Sequence, residues 1–219
     1  MPELTTIQQI AIWLLPVLFG ITLHEAAHAW VAYRLGDTTA KMLGRVSFNP
    51  MRHIDLIGTI IVPIAVLILS RFNFVFGWAK PVPINDSQFR HPRRDIALAT
   101  AAGPLSNLLM AIMWTGLLKI AANMNPQSSN FALFLLLAAR AGIIINLLLA
   151  YLNLIPIPPL DGSRIVASLM PPRHASIYLR LEPWGFFILL ILLFTGVLPW
   201  LINPPIQWSL MFLRALFNL

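Results

Sequence analysis

Long apolar segments separated by short loops constrain this chain more than any other feature of its sequence. Roughly 20 helical residues cross a bilayer core, and a backbone exposed to lipid must satisfy its own hydrogen bonds. Segments of this length therefore favour membrane helices. The apolar segments are Ile7–Leu35, Ile54–Ser70, Ile96–Ala121, Phe131–Ile155 and Trp184–Leu201. They predict an all-α polytopic membrane protein, a bundle of about five membrane segments.

Composition supports one membrane domain. Of the 219 residues, 58% are apolar and only 11% are charged, whereas soluble domains carry about 25% charged residues. We expect a single integral-membrane domain over residues 1–219, with a core at 7–170 and C-terminal helices at 184–219. The last stretch, Ile206–Leu219, is predicted to be an interfacial or peripherally packed helix, because its polar residues fall on one stripe.

Most of the basic residues of the chain fall in loops between the apolar segments. The net charge of +7 could indicate nucleic acid, but the positive-inside rule accounts for these loops, so no nucleic-acid partner is expected. The three basic loops are Gly36–His53, Asn85–Asp95 and Pro156–Pro183. If Ile54–Ser70 were an ordinary span, the first two of them would face opposite sides of the membrane.

The residues after Ile54–Ser70 offer another path for the chain. Large aromatic residues alternate with smaller ones over Phe72–Ala79, and a period of two indicates a strand. Ile54–Ala79 is therefore predicted to be a membrane-embedded hairpin of one helix and one extended strand. All three basic loops then lie on the cytoplasmic side and the N-terminus lies outside. The alternative is an ordinary span followed by an aromatic belt.

His24, Glu25 and His28 form a His-Glu-x-x-His motif inside the first apolar segment. Residues i and i+4 of a helix share one face, so both imidazoles can reach one zinc ion, and Glu25 can take a proton from a metal-bound water. Ionisable groups in membrane segments are costly, so they are functional candidates, although this order of residues can also arise by chance. The chain has no cysteine, so a metal must take histidine and carboxylate ligands.

A second candidate follows the fourth apolar segment, where residues 153–162 read Asn-Leu-Ile-Pro-Ile-Pro-Pro-Leu-Asp-Gly. Three prolines in four positions cannot continue a helix, so the chain is predicted to be extended around a polar cavity. Taken alone, such a loop is usually a surface turn. Beside the first motif, Asp161 becomes a candidate third zinc ligand, and the fourth position stays open for water.

Together these two motifs resemble those of the site-2 protease family of intramembrane zinc metalloproteases. Ala102–Asn107 and Phe76–Pro83 are also similar to family elements, so the likeness covers most of Ile21–Arg164. The resemblance implies regulated proteolysis inside the bilayer, on the transmembrane helices of membrane-protein substrates. It also implies a multi-pass protein of a bacterial or archaeal cell membrane, of the small type without a PDZ insert, whose active site lies nearer the cytoplasmic face.

The resemblance implies specific site residues as well. One zinc ion per chain would be bound by the residues His24, His28 and Asp161, and Glu25 would be the catalytic base. Asn153 and Asn107 are candidates for a donor to the oxyanion, and the resemblance favours Asn153.

Several roles stay open. A helix–helix hydrogen bond is the alternative role for Asn107. A non-catalytic metal-binding membrane protein or a metal transporter is the alternative function, although neither needs a base such as Glu25. The sequence leaves open the oligomeric state and the roles of Arg140 and His53.

Overall fold

The computed structural model describes residues 5–52, 80–125 and 129–219, together with Asp55, Gly58, Ile61 and Gln127. Within these residues all regular secondary structure is helical. The predicted strand at Phe72–Ala79 and nearly all of the predicted hairpin lie outside the described residues, and both stay predictions.

Eight α-helices and two short 3-10 helices are described. The α-helices are α1 (Thr6–Leu35), α2 (Thr39–Met42), α3 (Pro92–Asn123), α4 (Asn130–Asn153), α5 (Asp161–Leu169), α6 (Pro172–Leu179), α7 (Glu182–Phe194) and α8 (Val197–Phe217); the 3-10 helices are Pro50–Arg52 and Asp86–Gln88. Of these, α1, α3 and α4 are long and apolar enough to cross a membrane, and α6 with α7, bent by 61°, gives a fourth candidate span. The all-helical prediction is confirmed for this part of the chain, but the number of five segments is not.

The C-terminal helices differ from the predicted ones. The segment Trp184–Leu201 is interrupted at Gly196, whose φ of 77° lies in the left-handed region that favours glycine. A single helix, α8, then continues through Pro204 and Pro205, so the separate helix predicted at Ile206–Leu219 is wrong. Burial of Leu198, Ile202 and Leu213 along α8 explains why packing outweighs the local cost of the prolines.

The helices α1, α3 and α4 pack against one another and form the centre of the fold. Trp114 and Met110 of α3 are buried against Ile143 and Leu147 of α4, with Leu213 of α8 in the same cluster. Side chains of α1 also enter this three-helix contact, since Leu23 lies against the cluster. Polar groups carried on the inner faces of these helices are therefore shielded from solvent.

The chain makes a tight junction where α1 ends. Gly36, at a φ of 119°, closes the helix, and the following Asp37 is fully buried. Asp37 Oδ1 accepts a hydrogen bond from Thr39 N and its Oδ2 accepts one from Asn85 N, both at 2.8 Å. Gln88 Nε2 also donates to Thr39 Oγ1. The first two basic loops are therefore docked to each other at one end of the bundle.

Candidate metal centre

Two histidines of α1 and one aspartate of α5 meet inside the bundle. His24 and His28 are 7% and 6% exposed, and α5 begins at Asp161, directly after the proline-rich loop. Asp161 Oδ2 lies 3.1 Å from His24 Nε2 and 3.3 Å from His28 Nε2. The two Nε2 atoms are 3.0 Å apart. The structure therefore brings together the three residues that the sequence suggested as zinc ligands.

Hydrogen bonds on the far side of each imidazole indicate where its proton lies. His28 Nδ1 is 2.8 Å from the carbonyl oxygen of Ala99, and His24 Nδ1 is 2.5 Å from Asn107 Oδ1. Both oxygens can only accept, so each Nδ1 carries the hydrogen and donates it. In a neutral imidazole the other nitrogen then has a lone pair, and both Nε2 lone pairs face Asp161.

Asp161 Oδ2 and the two Nε2 atoms are arranged as they would be around a shared cation. Asp161 Oδ2 is buried and has no hydrogen-bond donor among the described residues. Two nitrogen lone pairs and a carboxylate oxygen repel at this distance unless a positive charge lies among them. Two imidazoles and one carboxylate are a donor set that suits zinc, as found in catalytic zinc sites. Within the described residues this is the one group of three such side chains close enough to share an ion.

Gly103 of α3 lies directly against both imidazole rings. A Cβ atom built at this position would be 2.3 Å from His28 Nε2 and 2.7 Å from His24 Cε1. Such distances lie well inside van der Waals contact, so only a residue without a side chain lets α3 cross α1 here. The close approach also brings Ala99 and Asn107 of α3 within hydrogen-bonding reach of the two rings.

Glu25 lines a cavity that His28 and Asp161 also line. Its Oε2 accepts a hydrogen bond of 3.0 Å from Val82 N, in an irregular segment at residues 80–85. This segment is held a second time where Asn85 N donates to Asp37. The carboxylate of Glu25 is therefore oriented by backbone that is itself fixed at two points.

The cavity has a volume of about 700 Å³ and lies between residues 80–85 and α5. Glu25, His28 and Asp161 all line it, so the candidate base and two candidate ligands face one space. At its exposed rim, Arg164 Nη2 of α5 forms an ion pair of 2.9 Å with Asp86 Oδ1. A space of this size is typical of ligand sites.

The two asparagines considered as oxyanion donors occupy different places. Asn153 is the last residue of α4, and its Nδ2 donates to Leu149 O of the same helix at 2.9 Å. Asn107 is fully buried, and its Nδ2 donates to Gly20 O and to Asn146 Oδ1. Asn107 thus makes the helix–helix hydrogen bonds that were its alternative role.

The structure does not assign a role to Arg140 or His53, whose roles the sequence left open. Arg140 is exposed on α4. His53 lies outside the described residues.

Sequence reasoning missed two buried polar residues near the site. Asp37 and Asn146 are both 0% exposed and both connect separate parts of the chain. Asn146 had a usable signal, since an amide inside an apolar segment tends to bond a neighbouring helix. Asp37 had none, because an Asp after the Gly that ends a helix is ordinary in a loop.

Known proteins that resemble this chain match most of its length. A family model described as Peptidase family M50 matches residues 113–196. The chain is 36% identical over 199 residues to "Putative zinc metalloprotease YwhC" of Bacillus subtilis (strain 168), which covers 87% of this chain and 84% of that protein. It is 28% identical to "Putative zinc metalloprotease Rip2" of Mycolicibacterium smegmatis, over 83% of this chain and 66% of that protein. The Mycobacterium tuberculosis protein of the same name is also 28% identical, over 85% and 71%. No solved structure matches the chain significantly.

Proposed function

This chain belongs to peptidase family M50 and is a zinc metalloprotease, and we propose that it hydrolyses peptide bonds within the transmembrane helices of membrane-protein substrates. The observation that carries the proposal is the buried Asp161 Oδ2, which faces two imidazole nitrogens among helices of membrane-spanning length and has no hydrogen-bond donor in the described part of the chain. Span-length helices and bacterial relatives support a bacterial membrane protein in contact with the lipid bilayer. We propose that residues 1–219 act as one such protease domain.

We propose that one zinc ion per chain is bound by His24, His28 and Asp161. When bound, zinc supplies a positive charge that polarises a peptide carbonyl and lowers the pKa of a coordinated water to about 7. The chain's contribution is to hold three electron-rich atoms together in a buried place. Ala99 and Asn107 keep the two rings turned with Nε2 inward, which is how outer hydrogen bonds orient ligand histidines.

Glu25 is proposed to carry the proton in peptide hydrolysis. A carboxylate that lines the cavity beside His28 can take a proton from the attacking water and deliver it to the leaving amine. The hydrogen bond from Val82 N limits its rotation, so the base stays aimed at the same space between turnovers. The same contact makes residues 80–85 part of the catalytic geometry.

Asn153 remains the proposed donor to the oxyanion, on the strength of the family resemblance. One N–H of its Nδ2 donates to Leu149 O, and the second N–H is the proposed donor to the oxyanion. A single donor of this kind contributes about a hundredfold or more to turnover in other proteases.

The docked loops support the proposed membrane orientation. Asp37 bonds Asn85, so the chain comes back at residue 85 to the end of the bundle where α1 finishes. The third basic loop comes to the same end, because Arg164 pairs with Asp86. These contacts favour a segment 54–79 that enters and leaves from one side, with the N-terminus outside and the active site nearer the cytoplasm.

Cysteine labelling tests this orientation cleanly, because the chain has no cysteine of its own. Single cysteines at Thr39, Ser87 and Ser176 are expected to react with an impermeant thiol reagent from the same side of sealed vesicles. A cysteine at Gln127, between α3 and α4, is expected to react from the opposite side and serves as the control. Labelling of Thr39 and Ser87 from opposite sides would exclude the hairpin.

Metal analysis tests the ligand set. The purified wild type is expected to contain about one zinc per chain, and the double variant His24→Ala, His28→Ala to lose nearly all of it, because one carboxylate alone binds zinc weakly. The control is His174→Ala, which removes an exposed histidine of α6 and should leave the zinc content unchanged. Full zinc retention in the double variant would place the metal elsewhere.

A further inference from the structure

The amide side chain of Asn146 is fully buried in α4, and none of the chemistry proposed above uses it. We propose that Asn146 is a positioning residue: acting through Asn107, it keeps the proton of His24 on Nδ1 and so leaves Nε2 free to bind a metal. This inference rests on the proposed zinc site. It extends that site to α4, which contributes none of its proposed ligands.

The side-chain amide of Asn146 has one favourable orientation. Its Nδ2 donates a hydrogen bond of 2.8 Å to Gly142 O, one turn earlier in α4. A carbonyl oxygen can only accept, so the NH2 group must face Gly142. The opposite orientation would bring two oxygens together in a buried place, which is costly. Asn146 Oδ1 therefore faces α3.

The orientation of Asn146 determines that of the Asn107 side-chain amide. Its Nδ2 donates to Asn146 Oδ1 at 2.9 Å and to Gly20 O at 3.1 Å. Both partners are acceptors, so both N–H groups of Asn107 are committed. Rotation of the amide by 180° would turn its oxygen towards Gly20 O and Asn146 Oδ1 and lose both hydrogen bonds. Asn107 Oδ1 is thus left facing His24 Nδ1, at 2.5 Å.

The orientation of Asn107 determines the tautomer of His24. An imidazole nitrogen that faces an oxygen must carry the hydrogen, so Nδ1–H is the stable form and Nε2 keeps its lone pair. Two backbone carbonyls, Gly142 O and Gly20 O, therefore orient the amide groups of Asn146 and Asn107. These two amides in turn keep the proton of His24 on Nδ1. His28 needs no such relay, because its Nδ1 faces the carbonyl of Ala99 directly.

Removal of Asn146 should release this constraint without touching a ligand. In Asn146→Leu, Asn107 Nδ2 loses one of its two acceptors, and only Gly20 O still holds its amide. The rotated amide, with the proton of His24 on Nε2, is then less unfavourable and becomes more populated. Outer hydrogen-bond partners of metal ligands typically contribute about 10- to 100-fold to affinity, and we expect a zinc affinity lower by that factor. Asn146→Asp, as a neutral acid, can still donate to Gly142 O and accept from Asn107, so it should stay near the wild type.

The experiment measures zinc affinity by chelator competition in the purified full-length chain and its variants. Thr115→Val is the matched control: Thr115 is also buried in the bundle, and its Oγ1 donates to Ala111 O of its own helix. Its replacement by a side chain of the same shape should leave zinc affinity unchanged. If Asn146→Leu and Thr115→Val weaken binding equally, general packing explains the effect and the inference is overturned.

A second measurement does not depend on any variant of Asn146. Nitrogen-15 NMR of histidine-labelled, metal-free wild type distinguishes the two imidazole tautomers, with His24 assigned by its loss in His24→Ala. The expected signal is a protonated Nδ1 in the wild type, and a mixture of tautomers in Asn146→Leu. A wild-type His24 protonated on Nε2 would overturn the inference even if the leucine variant does not fold.

These outcomes separate the inference from the proposed function. A wild type that binds no zinc would contradict the zinc site itself. A wild type that binds zinc, together with an Asn146→Leu variant of equal affinity and unchanged tautomer, would contradict only the role of Asn146.

Discussion

Glu25→Gln is expected to bind as much zinc as the wild type and to lose peptide hydrolysis by at least about a hundredfold, the scale of a general base. A glutamine keeps the shape of the side chain and an oxygen that can accept from Val82 N, so the site should stay assembled. It cannot take a proton from water at neutral pH. The measurement is cleavage of a purified single-span substrate in detergent or liposomes, with zinc content determined on the same sample.

The matched control for this variant is Glu182→Gln. Glu182 lines the same cavity but is exposed, at the start of α7. Loss of its charge should leave turnover close to that of the wild type if activity depends on the carboxylate of Glu25 itself. Comparable losses in the two variants would instead point to the overall negative charge of the cavity. Turnover of Glu25→Gln within a few fold of the wild type would require another base.

Gly103→Ala is expected to lose zinc binding and activity together, although residue 103 is not a proposed ligand. The added methyl group would overlap both imidazole rings, at 2.3 Å from His28 Nε2. Either the rings rotate, which breaks the bonds to Ala99 and Asn107, or α3 moves away from α1. We expect a loss of zinc affinity of more than about a hundredfold, beyond the usual effect of outer partners.

Gly116→Ala provides the control on the same helix. A Cβ at Gly116 would meet Phe217 Cε1 at 3.5 Å and Phe217 Cζ at 4.0 Å, which are ordinary contacts. Zinc content and circular dichroism of the two variants, measured side by side, separate damage at the metal centre from a general loss of helix packing. A Gly103→Ala chain with wild-type zinc affinity would show that the rings can yield at no cost.

The sequence was most informative where local pattern and chemistry coincide. The first apolar segment was predicted to begin at Ile7, and α1 begins at Thr6; both end at Leu35. The spacing of His24 and His28 depends only on helical geometry, so their shared face could be predicted without knowledge of the fold. Asp161 was identified because prolines at membrane depth imply a polar cavity, and it does lie beside both histidines.

Features that depend on how helices are set against one another could not be predicted in the same way. The sequence does not show that Asn146 of α4 lies at the level of Asn107, nor that Val82 N bonds Glu25. Local signals also failed where packing outweighed them, as at Pro204 and Pro205, through which α8 continues. The left-handed Gly196 marks the real break, but a glycine at an exposed position carries no distinctive pattern.

The origin of the proposed ligands in α1 and α5 has a consequence for biosynthesis. The helices α1 to α4 and the proline-rich loop must leave the ribosome before the third proposed ligand can join the two histidines. A nascent chain that has inserted only α1, α3 and α4 offers two imidazoles and no carboxylate partner, so it holds metal weakly. If the proposed ligand set is correct, we expect the enzyme to gain hydrolytic capacity only after its core helices are synthesised.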